Sequence, residues 1–287
     1  MAISDRGTTQ PVTQSPTRSR AGRDLGAAIA VGVVLAAVVL ATLALYRPGF
    51  VIVVGVAVLI SLWELVRALE SRDVRPPTVP LLVGAISMLA LTYLRGSEGL
   101  VVAFILTVLA CIVWRLADGA RNYLRDVSTT VFVVMYVPLL AGFAVLLVIP
   151  QDGAARVIAF ITTVVCSDVG GYAAGVFLGR HPMAASVSPK KTWEGFAGSA
   201  VLSALAGALF LTLALGGVWW QGVLYGLAIA AAATLGDLGE SMIKRDLGLK
   251  DMGSLLPGHG GLMDRMDSLL PTAAVAWLLL SVFVPPA

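Results

Sequence analysis

Charge is what this sequence has least of. Asp, Glu, Lys and Arg make up 13% of its 287 residues, against roughly 25% in soluble globular domains. With 58% hydrophobic residues and a mean hydropathy of +0.89, that scarcity excludes an ordinary soluble domain and makes lipid the chain's main solvent. Cysteine is nearly absent too. Cys111 and Cys166 both fall inside apolar segments, which argues against a structural disulfide, and their surroundings suggest no zinc site. There is no GxxxxGK[ST], no GxGxxG after a strand and no HExxH, so P-loop, Rossmann and zincin chemistry have no support. No internal repeat marks the duplicated halves found in many secondary transporters. The net charge of +3 is spread between apolar runs rather than gathered into a patch, so the sequence gives no footprint for nucleic acid.

What is present is a series of apolar windows long enough to cross a bilayer, about 20 residues each. They fall at 26–46, 49–69, 78–94, 98–116, 129–150, 154–178, 193–216, 218–243 and 266–284. The expected fold is therefore all-α: a polytopic membrane protein of about nine transmembrane helices. Residues 1–25 are polar and rich in Ser, Thr, Arg and Pro, the composition of a disordered cytosolic tail. Five helices would follow over 26–150, and four more, over 151–287, would carry a cytosol-facing site. The first span is too long and too far from the N-terminus for a signal peptide, so it is expected to stay.

Basic residues report the orientation. The tail has Arg6, Arg18, Arg20 and Arg23, and the second connection Arg67, Arg72 and Arg75. The fourth has Arg115, Arg121 and Arg125, the sixth Arg180, Lys190 and Lys191, and the eighth Lys244, Arg245, Lys250 and Arg265. Only Arg47, Arg95 and Arg156 fall in the odd connections. Cytoplasmic loops concentrate Lys and Arg, so the N-terminus is expected in the cytosol and the C-terminus outside. Trp219 and Trp220 read as anchors at the outer headgroup level.

Chemistry concentrates between Gly236 and Leu270. On a helix, Asp237, Glu240 or Ser241, and Lys244 share one face where the eighth span meets the cytosol. Asp264 and Asp267, three residues apart, share another at the start of the ninth. The loop between them holds Lys250, Asp251, Gly253, Pro257, Gly258, His259, Gly260 and Gly261. Taken singly, Asp264 to Asp267 could be a helix N-terminus and Lys244-Arg245 a topogenic stop. Together they read as a site, because ionisable groups at membrane depth are costly. A divalent ion bridging carboxylate and phosphate would explain the carboxylates, and the basic residues would bond phosphate oxygens.

A second polar cluster runs from Cys166 to Gly195. Asp168 lies within the sixth span with no cation one turn away, so a metal, a water cavity or a distant cation must compensate it. Gly171, Gly175 and Gly179 form a small-residue stripe suited to close helix packing. Ser188 to Thr192 is a basic loop fit for a phosphate, and Glu194 either caps the next helix or faces the site. Glu64 and Arg67, one turn apart, are explained by a local ion pair.

These blocks resemble the CDP-diglyceride synthetases, the phosphatidate cytidylyltransferase family. The resemblance rests on Ser241-x-x-Lys244-Arg245, Lys250-Asp251, Pro257-x-His259-Gly260-Gly261 and Asp264-Arg265-x-Asp267. It extends to Ser188-Pro189-Lys190-Lys191-Thr192 with Glu194-Gly195, and to Asp168 with Tyr172 and Gly175, Gly171 standing where the family has Ala. It covers mainly residues 166–270. It implies that CTP and phosphatidate give CDP-diacylglycerol and pyrophosphate in a homodimer in the bacterial inner membrane. It also implies magnesium, with a monovalent companion such as potassium. The implied metal ligands are Asp237, Asp264 and Asp267, with Asp168 and Glu240 beside them. Lys244, Arg245, Asp264, Asp267 and His259 form the catalytic set; Ser188, Lys190, Lys191, Ser241, Lys250, Gly260, Gly261 and Arg265 bind substrate. The residues alone leave two alternatives: a CTP-dependent lipid kinase, or an ion transporter with Asp168, Asp237 and Glu240 along its pathway.

Overall fold

The computed structural model describes residues 25–253, 255 and 260–286, with side chains from residue 32 onward. The polar tail, apart from Leu25, and Pro257, Gly258 and His259 lie outside the described residues. Helix α1 (Leu25–Leu45) ends at Tyr46, whose extended backbone and the proline that follows begin α2 (Arg47–Glu70) on a new axis. Proline suits a first helical turn, where its missing N–H is unused.

Helix α3 (Thr78–Leu116) has 39 residues, about 58 Å if straight and far more than one bilayer core of roughly 30 Å. It is not straight. Gly96 takes φ 64° and ψ −145°, a conformation that only glycine adopts readily. The two halves fold back on each other: a Cβ at Gly84 would lie 2.1 Å from the Thr107 side chain. Helix α4 (Tyr123–Val134) continues through a π-helical turn (Met135–Leu139) into α5 (Leu140–Val148). Pro138 lies in that turn, where a missing N–H interrupts the regular ladder.

The remaining helices are α6 (Gly153–Leu178), α7 (Trp193–Ala214), α8 (Trp219–Asp246), the short α9 (Met263–Met266) and α10 (Leu269–Phe283). Between α6 and α7 a two-stranded antiparallel ribbon pairs β1 (Pro182–Ala184) with β2 (Ser188–Thr192). Apart from this small ribbon the regular structure of the described residues is helical, consistent with the all-α expectation. Among the described residues seven helices are long and apolar enough to cross a membrane, α3 counted once, and the chain is a multi-pass membrane protein.

Small residues set the packing of α6, α7 and α8. A Cβ at Gly170 would lie 2.5 Å from the Gly198 carbonyl, and one at Gly171 2.5 Å from Ser199 Oγ. Gly207 meets the Gly222 carbonyl in the same way on α8. Ser199 Oγ donates to the Ser167 carbonyl at 2.7 Å, so the close approach is also hydrogen-bonded. Of the glycine stripe expected to pack, Gly171 and Gly179 are in close contact with α7 or its cap, whereas Gly175 leaves room for a Cβ.

Two apolar cores result. One joins α2 to α5 and takes in Leu247, Met252, Met263 and Leu270 from the second half of the chain. The other surrounds Phe160, Leu211, Tyr225 and Leu280. Contacts between connections sort by end. At one end Arg72 Nε donates to the Leu247 carbonyl at 2.8 Å, Arg125 Nη2 donates to the Asp73 carbonyl, and Lys191 pairs with Asp237. At the other, Arg47 bonds the carbonyls of Pro150 and Gln151, Arg156 Nη2 that of Val284 at 2.7 Å, and Trp220 meets Phe283 edge-on.

Candidate active site

Asp168 stands on α6 four residues before Tyr172, facing a cavity of about 330 Å³ between α6, β2, the start of α7 and α8. Ser188, Lys190 and Lys191 line it from β2, and Asp237 from α8. Read as a loop from sequence, Ser188 to Thr192 is instead the longer strand of the ribbon, pinned by β1 and by Trp193 N–H donating to the His181 carbonyl. Thr192 ends the strand and caps α7, its hydroxyl accepting from Gly195 N–H at 3.1 Å. Glu194 therefore does not cap. Its carboxylate accepts the N–H groups of Arg180 and His181 and meets His181 Nδ1 at 2.5 Å, fixing the loop that precedes the ribbon.

Lys191 is the lysine drawn inward. Its Nζ lies 2.6 Å from Asp237 Oδ2 and donates to the Thr234 carbonyl at 3.3 Å, while Lys190 stays exposed at the mouth. Charges of both signs act on Asp168: the carboxylates of Asp267 and Asp237, and the cations Lys191 and Arg265. The motif around Arg265 thus comes within electrostatic reach of the cavity beside the ribbon, although they are far apart in sequence and the motif does not line it.

One turn further along α8, Glu240 is fully buried. Its Oε2 accepts from Lys244 Nζ at 3.1 Å, and Lys244 reaches on to Asp264 Oδ1 at 2.9 Å. The helical spacing placed Asp237, Glu240 and Lys244 on one face, and Ser241 Oγ reaches Asp237 Oδ1 at 3.4 Å on that face. Asp264 is fully engaged. Besides Lys244 it accepts Gly261 N–H at 2.8 Å and Met252 N–H at 3.1 Å, which ties both sides of the loop to α9. Gly260, beside it, has φ 80° and sits over the same carboxylate.

Asp267 is different. It faces Glu240 within hydrogen-bonding reach, and Glu240 Oε1 is buried without a donor. Two carboxyl groups that close need a proton or a cation between them. Among the described residues no three Asp, Glu, His or Cys form a ready cation cage. Magnesium does not require one, since it is usually bound by one or two carboxylates with phosphate oxygens and water. The Glu240–Asp267 pair, with Asp237 acting on it from one turn earlier on α8, fits that ion. An ion at Asp264 would have to displace Lys244.

Arg245 and Lys250 are exposed and, among the described residues, make no hydrogen bond or ion pair; neither lines the cavity. Arg265 is exposed and acts on Asp168. His259 lies outside the described residues.

Glu64 corrects the sequence reading. Its expected ion pair with Arg67 does not form, because Arg67 lies over the Trp63 ring at 4.2 Å. Glu64 is instead 2% exposed, and its Oε2 accepts Met263 N–H at 2.9 Å across 199 positions of sequence. Gly253 and Gly261 close around the carboxylate so tightly that a Cβ at either would lie within 2.6 Å of it. A carboxylate in a span is expensive, and that cost was the available signal.

Comparison with known proteins agrees with this geometry. The family model described as "Cytidylyltransferase family" matches residues 26–283. The chain is 43% identical to the phosphatidate cytidylyltransferase of Mycobacterium bovis, over 98% of this chain and 99% of that protein. It is 44% identical to the Mycobacterium tuberculosis protein of the same name, over 95% and 86%. The similarity to the Helicobacter pylori protein of that name, 42% identity, covers 45% of this chain and 48% of the relative. With nearly the whole length matched, and the cavity, the inward lysine and the Glu240–Asp267 carboxylate pair gathered at one end of the helices, the chain belongs to the cytidylyltransferase family.

Proposed function

We propose that the chain is a phosphatidate cytidylyltransferase, which converts CTP and phosphatidate to CDP-diacylglycerol and pyrophosphate. The observation that carries the reading is the union of two clusters at one end of the helices. A cavity lined by Lys190, Lys191, Asp168 and Asp237 adjoins the pair of the buried Glu240 and the half-buried Asp267. Nine membrane crossings, with α1 as one and the two halves of α3 as two, put every even connection on this side. The segregation of Arg72, Arg125 and Lys191 contacts from those of Arg47 and Arg156 supports that count. The excess of Lys and Arg in the even connections makes this side cytosolic, in a bacterial inner membrane, where CTP meets a lipid held in the bilayer.

The attacking group is a phosphate oxygen of phosphatidate, displacing pyrophosphate in line at the α-phosphorus of CTP. No protein base is needed, because a phosphate monoester with second pKa about 6 is largely ionised near neutral pH. The protein's work is positioning and charge neutralisation. Lys191 leaves Asp237 for a phosphate oxygen, and Lys190 stands at the mouth to meet the incoming triphosphate or lipid phosphate. Ser188 offers a phosphate contact inside the cavity, Ser241, Arg245, Lys250 and Arg265 offer theirs from outside its lining, and Gly260 and Gly261 shape the loop before α9; a catalytic role for His259 rests on the family resemblance. Lys244 holds Glu240 and Asp264 in place. Asp267, Glu240 and Asp237 would hold magnesium, with Asp168 and Asp264 as further carboxylates of the site, and the ion would supply positive charge to the triphosphate. Potassium as a companion ion, and assembly as a homodimer, are supported by the family resemblance alone.

The test is turnover of the purified chain in detergent with phosphatidate, magnesium and CTP labelled at both α and γ positions. The expected result is α-label in lipid and γ-label in pyrophosphate. Label from the γ position in a lipid would make the protein a kinase. Intact CTP with every acceptor, from folded protein, would reject the enzyme reading.

A further inference from the structure

The connections from α2 to α3 and from α3 to α4 enclose a second cavity, of about 560 Å³, on the same face as the carboxylate cluster. Four arginines line it, Arg75, Arg115, Arg121 and Arg125, against three aspartates. The proposed reaction uses none of them.

The three aspartates do not satisfy all the arginines. Arg115 is 6% exposed; its Nη2 is 2.8 Å from Asp126 Oδ2, and it donates to the Arg121 carbonyl at 3.1 Å. Its Nη1 is ion-paired with Asp118 Oδ2 at 3.1 Å, and Asp118 is itself largely exposed. Arg125 is engaged by Asp126 and by the Asp73 carbonyl. Arg75 and Arg121 are exposed and, among the described residues, have no hydrogen bond or ion pair. Two open guanidinium groups, beside a buried third whose Nη1 is paired with an exposed aspartate, therefore line a space large enough for a phosphate group.

A purely topogenic arginine needs only to stay on the cytosolic side. It needs no cavity, and it would not be buried at a helix end with two aspartates drawn to it, since an ionisable group there is costly. Guanidinium forks match phosphate oxygens in pairs. The rim adds the second half of a lipid: Trp114 is 52% exposed, Leu116 60% and Leu124 80%, all beside the arginines at the ends of α3 and α4. Acyl chains can lie along these side chains while the headgroup enters the cavity, and the excess of arginine over aspartate favours a headgroup with net negative charge.

We propose that this cavity is a second phosphate site, in which Arg75, Arg121 and Arg115 Nη1 hold the phosphodiester of an anionic membrane lipid away from the reacting centre. The proposal rests on the reading that these connections lie at the membrane surface, not on the reaction. The experiment uses the full chain in neutral detergent, following thermal unfolding against dihexanoyl phosphatidylglycerol, dihexanoyl phosphatidylcholine or inorganic phosphate. The expected result is stabilisation by phosphatidylglycerol at a concentration about tenfold below that needed of phosphatidylcholine. The double variant Arg75→Gln/Arg121→Gln should lose this preference while remaining monodisperse and turning over CTP at the wild-type rate in lipid-poor micelles. Asp267→Asn should keep it, which separates this site from the catalytic one. An equal response of wild type and double variant to phosphatidylglycerol, or equal responses to the two lipids, overturns the proposal. Inorganic phosphate stabilising as well as the anionic lipid, and losing its effect in the double variant, would replace the lipid with a free anion.

Discussion

Asp267 and Glu240 present two carboxyl groups where one buried oxygen lacks a donor. Replacing Asp267 with Asn keeps the shape, keeps an acceptor for Ser268 N–H, and gives Glu240 Oε1 a neutral donor. Turnover is expected to fall on the order of 100-fold or more, while the unfolding temperature in detergent holds or rises; wild-type turnover would remove Asp267 from the site. Glu64 is predicted to behave in the opposite way. Glu64→Ala leaves Met263 N–H without its acceptor in a dry position, which costs about 1–3 kcal/mol, so the unfolding midpoint and activity should drop together. Glu64→Gln, which can still accept from that N–H, should recover most of the stability. An unchanged midpoint in Glu64→Ala would mean the contact contributes nothing. Asp237, Glu240 and Lys244 were legible in the sequence because helical periodicity alone puts them on one face. Glu64 was not, because nothing local points from residue 64 to residue 263, and a basic residue one turn away offered a sufficient explanation.

Helices α6 and α7 carry opposite walls of the cavity, so their separation sets its width. A Cβ at Gly198 would lie 2.4 Å from both Ala174 Cβ and the Gly170 carbonyl. Gly198→Val should force the pair apart and cost about 1–3 kcal/mol, read as a lower unfolding midpoint. Because Asp168 and the strand bearing Lys191 move with these helices, turnover at low CTP should suffer more than turnover at saturating CTP. A variant with wild-type KM for CTP and midpoint would show that the contact yields freely. The glycine stripe that predicts this packing was visible as a four-residue period, whereas the ribbon was not. Five residues containing a proline, facing three more, carry too little alternation to read as a strand, and the pairing is fixed by the helices on either side. The break in α3 was legible as a gap between two apolar windows, and Gly96 supplies its physical cause.

At the scale of the whole molecule, the alternating basic connections and the end-sorted contacts make one prediction about sides. In a background with Cys111 and Cys166 replaced by Ala, Ser97→Cys should react with a membrane-impermeant maleimide in intact cells. Ala120→Cys should react only after the membrane is opened. Labelling of both from outside, or of neither, would reject nine crossings. Division of the chain near residue 150 follows the placement of the chemistry but not of the packing, since Leu247, Met252 and Met263 complete the core of the first half. The grip of Gly253 and Gly261 on Glu64 also has a bearing on biosynthesis. Helix α2 leaves the ribosome almost two hundred residues before the loop that closes on it, so its carboxylate must wait in the nascent chain as an unmet polar group. The proposed reaction centre would then be the last part of the protein to be assembled, and a chain that stalls after α8 would be expected in the membrane yet chemically silent.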